Sequence, residues 1–216
     1  MTYDTVIFDM DGTLLDTLED LRRSTNYALA KHGFAERSLS EVRGFVGNGV
    51  RKLVERALPD HAKERAFDAV FKDFCTHYAI HCSDMTKPYP QVPELIAELS
   101  QRGYKLGIVS NKSDAEVKKL NEKFFHEQIA VAVGNRPGIS RKPAPDSFSY
   151  VLETLGSSVE KTLYVGDSGV DVAMARNANV DLVSVTWGFR QREQLEEAGA
   201  VRFIDTPLEL LTYLNS

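Results

Sequence analysis

Five short runs of branched or apolar residues, each followed at once by polar or glycine residues, constrain the fold of this 216-residue chain most strongly. The runs and the residues that follow them are 5–8 before Asp9, 106–109 before Ser110, 129–133 before Gly134, 163–165 before Gly166 and 182–185 before Thr186. Because the runs are continuous rather than alternating, they predict strands buried on both faces. Helical patterns lie between the later runs, so the sequence predicts an α/β fold with a doubly wound parallel sheet.

Residues 16–85 interrupt this alternation of strands and helices. The segment contains only helical periodicity, in four stripes of apolar residues spaced three and four apart. A crossover between parallel strands normally needs a single helix. We therefore expect residues 16–85 to form a four-helix domain inserted into an α/β core made of residues 1–15 and 86–216.

Composition and charge exclude several classes of partner. The net charge is −5, and no cluster of basic residues alternates with aromatic residues, which argues against nucleic-acid binding. No apolar stretch approaches the roughly 18 residues of a membrane span, and the first residues carry no secretion signal. The two cysteines form no CxxC pair. We expect a cytoplasmic protein, a monomer or homodimer, that binds neither nucleic acid nor membranes.

Polar side chains follow three of the predicted strands. In an open parallel sheet, ligands bind beyond the carboxyl ends of the strands, so these residues should share a crevice. Asp9 and Asp11 lie two residues apart on extended chain and therefore face the same side, while Gly12 allows a tight exit and Thr13 offers a hydroxyl. The other residues expected in this crevice are Ser110, Asn111, Asp167, Asp171 and, from the loop before a helix, Lys142.

Four carboxylates in one crevice need a cation, because they would repel one another strongly if all were ionised. Oxygen ligands suit Mg²⁺, which usually binds one or two carboxylates and accepts phosphate oxygens of a substrate. Phosphate monoesters hydrolyse very slowly without a catalyst, and a carboxylate nucleophile divides the reaction into two steps through an aspartyl phosphate. The residues therefore predict Mg²⁺-dependent phosphoryl transfer from a small phosphate ester.

Four motifs resemble those of the haloacid dehalogenase-type phosphatases, in the family's order and at similar spacing across the whole chain. They are Asp9-Met10-Asp11-Gly12-Thr13, Ser110-Asn111-Lys112, Arg141-Lys142-Pro143 and Gly166-Asp167-Ser168-Gly169-Val170-Asp171. Residues 45–58 and 87–90 resemble the phosphoglycolate phosphatase-like subfamily, in which a helical cap is inserted into the core. One departure is Gln91, which stands where that subfamily commonly has glycine.

The resemblance implies a role for each matched residue. Asp9 would be the nucleophile and a Mg²⁺ ligand. Asp11 would protonate the leaving alkoxide and later deprotonate the attacking water, while its backbone carbonyl binds Mg²⁺. Asp167 would also bind Mg²⁺, and Asp171 would brace the site from outside the metal ligands; alternatively, Asp171 would only cap or pair on the following helix. Lys142 would bridge the phosphoryl group and Asp9.

Further residues are expected to bind the substrate. Ser110, Asn111 and Thr13 would contact the phosphoryl group, and in the cap Gly47, Asn48 and Arg51 are candidates. Arg51, Lys52 or Arg43 could meet a substrate carboxylate. Ionised Asp9, Asp167 and Asp171 with a phosphate dianion would carry five negative charges, against three positive charges from Mg²⁺ and Lys142. This imbalance favours a protonated Asp11 when substrate binds, as a general acid requires.

The leading interpretation is a phosphomonoesterase that acts on phosphoglycolate, and the same residues leave four alternatives. An inorganic pyrophosphatase or a phosphomutase would use the same fold, although Thr13 argues against the mutases, which usually have valine or isoleucine there. A dehalogenase would not need the acid Asp11. A phospho-accepting signalling module also gathers acidic residues, a hydroxyl and a lysine around Mg²⁺, but such modules lack a helical insertion after the first strand.

Overall fold

A computed structural model describes residues 3–125 and 127–215; residues 1, 2, 126 and 216 of the expected core lie outside this part. Its helices are α1 (Leu18–Lys31), α2 (Leu39–Phe45), α3 (Val50–Ala57), α4 (Lys63–His81), α5 (Val92–Gln101), α6 (Asp114–Phe125), α7 (Asp146–Thr154), α8 (Gly169–Ala178), α9 (Arg192–Glu197) and α10 (Glu209–Leu214). Its strands are β1 (Thr5–Phe8), β2 (Leu15–Asp16), β3 (Lys87–Pro88), β4 (Lys105–Ser113), β5 (Val131–Asn135), β6 (Thr162–Gly166), β7 (Asp181–Val185) and β8 (Phe203–Ile204).

The main sheet of the described chain has six strands in the order β5-β4-β1-β6-β7-β8, and every pairing is parallel. The fold class expected from the sequence is confirmed. Strand β1 lies in the interior of the sheet between β4 and β6, so the carboxyl ends of these three strands lie side by side. The residues that follow them are therefore neighbours, although they are more than 150 positions apart at the extremes.

Both faces of the sheet are buried, which explains the continuous apolar runs. On β1, Val6 and Phe8 belong to a core cluster that includes residues of α5, α6 and α10. Ile7 points to the other face, where the cluster includes residues of α7 and α8. Each of these three side chains is at most 1% exposed. Helices on both faces make the doubly wound arrangement.

The chain divides into two compact units. The core unit comprises the chain up to Leu15 and from Pro88 onward, and the helical unit comprises Asp16–Lys87. The sequence placed the second boundary two residues earlier, after Met85. Strands β2 and β3 pair with each other at the two points where the chain passes between the units.

The helical unit contains α1 to α4 and one short 3-10 turn at Asp60–Ala62. Helix α1 packs against α4. On α1 the buried Asp20 accepts hydrogen bonds from the backbone N–H of Met85 (3.0 Å) and from the N–H and hydroxyl of Thr86 (2.8 Å each). These bonds fix the segment that follows α4 to the beginning of α1.

The described residues include no helix long and apolar enough to cross a membrane.

Candidate active site

Asp9 continues the ladder of β1 and begins a tight loop. Its backbone N–H donates to the carbonyl of Val165 on β6 (2.9 Å). The nucleophile predicted from the sequence is therefore held at the carboxyl end of an interior strand. One carboxylate oxygen of Asp9 accepts from the N–H of Met10 (2.7 Å). The loop then closes, because the carbonyl of Met10 accepts from the N–H groups of Leu14 and Leu15. Asp9 is 8% exposed.

Lys142 lies at the centre of a buried network. Its ammonium group is 2.9 Å from Oδ1 of Asp9 and 2.7 Å from Oδ1 of Asp171, and it donates to the hydroxyl of Tyr164 at 2.9 Å. The Lys142 side chain is 2% exposed. A buried ammonium that contacts two carboxylates is stabilised by them and in turn reduces their mutual repulsion. The structure thus joins the first, third and fourth sequence motifs through one lysine.

Asp171 makes contacts of both kinds that sequence reasoning left open. Its Oδ1 binds Lys142 and accepts from Tyr164 (2.9 Å), which ties it to the site. Its Oδ2 accepts from the N–H (3.1 Å) and the hydroxyl (2.5 Å) of Ser168, so it also forms a capping box at the start of α8. With both oxygens in hydrogen bonds, Asp171 braces the lysine.

The backbone comes close to the side chain of Asp167 on two sides, at Gly12 and at Gly188 and Phe189. The N–H of Phe189 donates to its Oδ2 at 2.7 Å. A Cβ placed on Gly188 would lie 2.4 Å from the Asp167 Cβ, and one on Gly12 would lie 2.3 Å from its Oδ2. Gly12 also has a φ of +86°, a conformation that favours glycine. Glycine is therefore needed on both sides of this carboxylate.

Thr13 is also part of the Asp167 surroundings. Its hydroxyl donates to Oδ1 of Asp167 over 3.4 Å, a long hydrogen bond, and its carbonyl accepts from the indole N–H of Trp187 at 3.0 Å. The sequence indicated Thr13 as a residue that binds substrate. The structure places its hydroxyl against Asp167, and a role for Thr13 in binding substrate stays a prediction.

Burial and the charges of neighbouring carboxylates disfavour the ionised forms of Asp9 and Asp167. Burial raises the pKa of Asp9 well above its usual range, Lys142 offsets part of this, and the charges of Asp171 and Asp167 raise it further. Burial and the charge of Asp171 raise the pKa of Asp167 to about 7. Burial alone would lower the pKa of Lys142, but Asp171 and Asp9 together raise it.

The donor set fits a hard divalent cation. Among the described residues, Asp9, Asp167 and Asp171 offer carboxylate oxygens that all lie within 4.8 Å of one another, and all three residues are buried. Each oxygen of Asp171 accepts from two donors, whereas each oxygen of Asp167 accepts from one and the bonds described for Asp9 end on Oδ1. Asp9 and Asp167 are therefore the carboxylates better suited to bind an ion. Oxygen ligands without sulfur or imidazole are those that Mg²⁺ prefers.

The end of β4 brings the second motif beside the first. Ser110 and Asn111 are buried, and the side-chain N–H of Asn111 donates to the backbone carbonyl of Lys142 at 3.0 Å. The hydroxyl of Ser110 accepts from the N–H of Lys112 at 3.3 Å. Lys112 is 2.8 Å and 3.0 Å from the two carboxylate oxygens of Asp11. Lys112 adds one positive charge to the three that the sequence analysis assigned to Mg²⁺ and Lys142.

The predicted cap residues lie in the helical unit, where Asn48 and Arg51 contact other side chains of that unit. Gly47 precedes α3 with a φ of +116°. The amide oxygen of Asn48 accepts from Arg56 at 2.8 Å. The guanidinium of Arg51 lies over the ring of Phe67, 4.5 Å from its centre, and is also within reach of the Phe71 ring. A role for Gly47, Asn48 and Arg51 in binding substrate stays a prediction.

Sequence reasoning missed Tyr164 in the core site. Tyr164 was read as part of an apolar strand, yet its hydroxyl contacts Lys142 and Asp171. Gly188 and Phe189 follow β7, and the sequence left open whether they wall the site or only pack; the structure places both against Asp167. Their position shortly after a buried strand was the usable signal. Tyr164 carried none, because its side chain is fully buried and only its hydroxyl is polar.

The chain resembles known proteins over most of its length. The model of the family described as haloacid dehalogenase-like hydrolase matches residues 6–185. The phosphoglycolate phosphatase of Aquifex aeolicus (strain VF5) is 33% identical over 188 residues, 85% of each chain. The N-acetylmuramic acid 6-phosphate phosphatase of Pseudomonas aeruginosa is 29% identical over 212 residues, 97% of this chain and 94% of the relative. A solved structure from Lactobacillus delbrueckii subsp. bulgaricus, described provisionally as a phosphoglycolate phosphatase, has a TM-score of 0.95 at 35% identity and covers 99% of both chains.

Proposed function

The chain belongs to the haloacid dehalogenase-like hydrolase family and is a phosphatase similar to phosphoglycolate phosphatases, and we propose that it uses Mg²⁺ to hydrolyse a small phosphomonoester. Phosphoglycolate is the proposed preferred substrate. The reaction passes through an aspartyl phosphate on Asp9. The observation that carries this proposal is the buried contact of Asp9 with Lys142 at 2.9 Å, beside Asp167 and Asp171. That arrangement holds a nucleophilic carboxylate next to a fixed positive charge, at the sheet edge where ligands bind.

In the first step a carboxylate oxygen of Asp9 attacks phosphorus and the bond from phosphorus to the ester oxygen breaks. Asp11 donates its proton to that oxygen, so the product leaves as a neutral alcohol. Lys142 stabilises the negative charge on the phosphoryl oxygens, and its contacts with Tyr164 and Asp171 keep the ammonium in place. Ser110 and Asn111 bind phosphoryl oxygens.

In the second step water attacks the phosphorus of the aspartyl phosphate. Asp11, now a carboxylate, takes a proton from the water, and the bond between phosphorus and the Asp9 oxygen breaks. Inorganic phosphate leaves and Asp9 returns to its carboxylate form. The same residue serves as acid and then as base, which requires that it remain close to the reacting oxygen through both steps.

Asp9, Asp167 and the backbone carbonyl of Asp11 would hold Mg²⁺, with Asp171 outside the ligand set. A bound Mg²⁺ reduces the negative charge of the phosphoryl oxygens and of the carboxylates around them. The raised pKa values of Asp9 and Asp167 support this assignment, because buried carboxylates of this kind are stabilised in their ionised form by a cation.

Phosphoglycolate is proposed as the substrate because relatives named phosphoglycolate phosphatase match most of this chain. Residues 16–85 are proposed as the cap domain that selects the substrate, with Gly47, Asn48 and Arg51 as its candidates for contact. A relative that acts on N-acetylmuramic acid 6-phosphate is also similar over 97% of this chain, so that sugar phosphate belongs in the test. A cytoplasmic location, a monomer or homodimer and the absence of a nucleic-acid partner stay predictions.

The substrate is tested by measuring kcat/KM for phosphoglycolate, N-acetylmuramic acid 6-phosphate, other sugar phosphates, nucleotides and pyrophosphate, with Mg²⁺ and with EDTA. We expect Mg²⁺-dependent phosphate release and the highest kcat/KM with phosphoglycolate. Preference for pyrophosphate would make the protein a pyrophosphatase, and transfer of phosphate within a sugar would make it a mutase. No phosphate release from any ester would contradict the proposal.

The intermediate is tested separately by quenching the enzyme with acid after brief exposure to a ³²P-labelled ester. We expect label on the protein that hydroxylamine removes, as it does from acyl phosphates, and no label on Asp9→Asn. Asp11→Asn should retain substrate binding. Labelled Asp9→Asn would refute the assignment of the nucleophile. A long-lived label on the wild-type protein without turnover would indicate a phospho-accepting signalling module.

A further inference from the structure

A buried ion pair joins the predicted acid Asp11 to a lysine that no step of the proposed reaction uses. Lys112, near the end of β4, has a side chain only 1% exposed. Its ammonium group donates to both carboxylate oxygens of Asp11, at 2.8 Å and 3.0 Å. The Asp11 side chain is 15% exposed, so part of it remains accessible to solvent.

Stabilisation of the fold does not by itself explain this pair. Burying an ammonium group is costly unless a partner compensates, and buried pairs are weak contributors to stability when compared with apolar residues of similar size. The other buried lysine of the site, Lys142, contacts Asp9 and Asp171. The two lysines thus engage different aspartates of the first motif.

Two hydrogen bonds from one ammonium group restrict the orientation of a carboxylate more than a single hydrogen bond does. Asp11 follows the end of β1 in a loop that closes through the backbone, and its side chain would otherwise turn about two bonds. With both oxygens bound to the same ammonium, the plane of the carboxylate is set by β4, a neighbouring strand of the sheet. General acid catalysis depends on such placement, since a displacement of about 1 Å can cost on the order of 100-fold in rate.

We propose that Lys112 is a positioning residue for this phosphatase, holding the Asp11 carboxylate in the orientation from which it serves the ester oxygen. The inference rests on the proposed function, because it needs Asp11 to be the acid. Lys112 itself does not contact the phosphoryl group in this role. Its contribution is made entirely through Asp11, and this property can be measured.

The first measurement compares leaving groups. An alkoxide needs a proton to leave, whereas 4-nitrophenolate leaves without one, so only alkyl phosphates depend strongly on the acid. The ratio kcat/KM reports the steps up to release of the alcohol. In Lys112→Met we expect kcat/KM to fall about 10- to 100-fold for the best alkyl phosphate and less than about threefold for 4-nitrophenyl phosphate. Lys112→Arg, which keeps the charge and two donors, should recover part of the loss.

The second measurement is a double-mutant cycle with Asp11→Asn. If Lys112 acts only through Asp11, then adding Lys112→Met to Asp11→Asn changes kcat/KM for the alkyl phosphate less than about twofold. The matched control is Lys118→Met, which removes a lysine paired with Asp114 at 2.7 Å on α6, outside the site. Lys118→Met should leave the ratio between alkyl and aryl phosphates unchanged.

Equal losses on both classes of ester, or losses that add fully in the double variant, would overturn the inference. If Lys112→Met does not fold, Lys112→Arg and the double variant, in which both charges are removed, still carry the comparison. If the wild-type protein releases no phosphate from any ester, the proposed function fails instead. In that case wild type, Lys112→Met, Asp11→Asn and the double variant are compared by urea unfolding. Additive changes in their unfolding free energies would contradict a direct interaction between Lys112 and Asp11.

Discussion

The raised pKa of Asp167 predicts how the stability of the metal-free protein depends on pH. Burial and the charge of Asp171 raise the pKa of this carboxyl from an ordinary 3.8 to about 7. The folded protein therefore holds a proton on Asp167 that the unfolded chain releases between these two values. The stabilisation from that proton is complete below pH 3.8 and is lost as pH rises through about 7.

The magnitude follows from the gap between the two pKa values. One pKa unit corresponds to about 1.4 kcal/mol, so ionised Asp167 costs the metal-free fold about 4 kcal/mol above pH 7 relative to pH below 3.8. Asp167→Asn keeps an oxygen that can accept from the N–H of Phe189 and removes the charge. We expect this variant to be more stable than the wild type at pH 8 by up to about 4 kcal/mol, with the difference shrinking towards pH 4.

The assay is urea unfolding of both proteins in EDTA at intervals from pH 4 to pH 8. Asp68→Asn on α4, which alters an exposed carboxylate of the helical unit, is the matched control and should show no such trend. Adding Mg²⁺ at pH 8 should stabilise the wild type and have much less effect on Asp167→Asn. A difference between wild type and Asp167→Asn that stays constant across this pH range would refute the reasoning.

Three further changes test other parts of the structure. Gly188→Ala places a Cβ 2.4 Å from that of Asp167, so we expect Mg²⁺ affinity by calorimetry to fall at least about tenfold, while Gly44→Ala, where a Cβ meets nothing within 4 Å, leaves it unchanged. Lys142→Met leaves Asp9 and Asp171 without their shared cation, and urea unfolding should show a loss of about 3–5 kcal/mol at pH 7, partly restored by adding Asp171→Asn. Gln91 has a φ of +68°, so Gln91→Gly should raise stability by about 0.5–1 kcal/mol and the melting temperature by about 1–4 °C; an unchanged or lower melting temperature would count against strain at this turn.

The departure at Gln91 shows how sequence and structure inform each other. The resemblance marked this position as one where glycine is common, without a reason. The structure supplies the reason, because the residue before α5 has left-handed backbone geometry. A side chain is tolerated there at a cost in strain. Glutamine in place of glycine is therefore expected to affect the stability of this turn.

Elements with strong local patterns were predictable, and short ones were not. Strand β1 was predicted with its observed bounds, because its residues are apolar on both faces. Strand β8 has two residues and α9 and α10 have six each, which is too short for a period of two or 3.6 to show. Helix α6 is longer, but only three of its residues are buried, and no helix was predicted there.

The sequence by itself determined where the candidate site residues would gather, because the direction of a strand and the residues at its end are local properties. Asp9, Ser110 and Asp167 each follow an apolar run, and parallel strands bring such ends to one edge. Only the tertiary structure decided which charges meet, since that depends on strand order and on contacts between residues about 100 positions apart. The pairing of Lys112 with Asp11 requires β4 to lie beside β1, and the hydrogen bond that Lys142 donates to Tyr164 requires the loop before α7 to bring a buried lysine to β6. Such pairings follow from packing the whole chain, because no local pattern carries the distance between two strands.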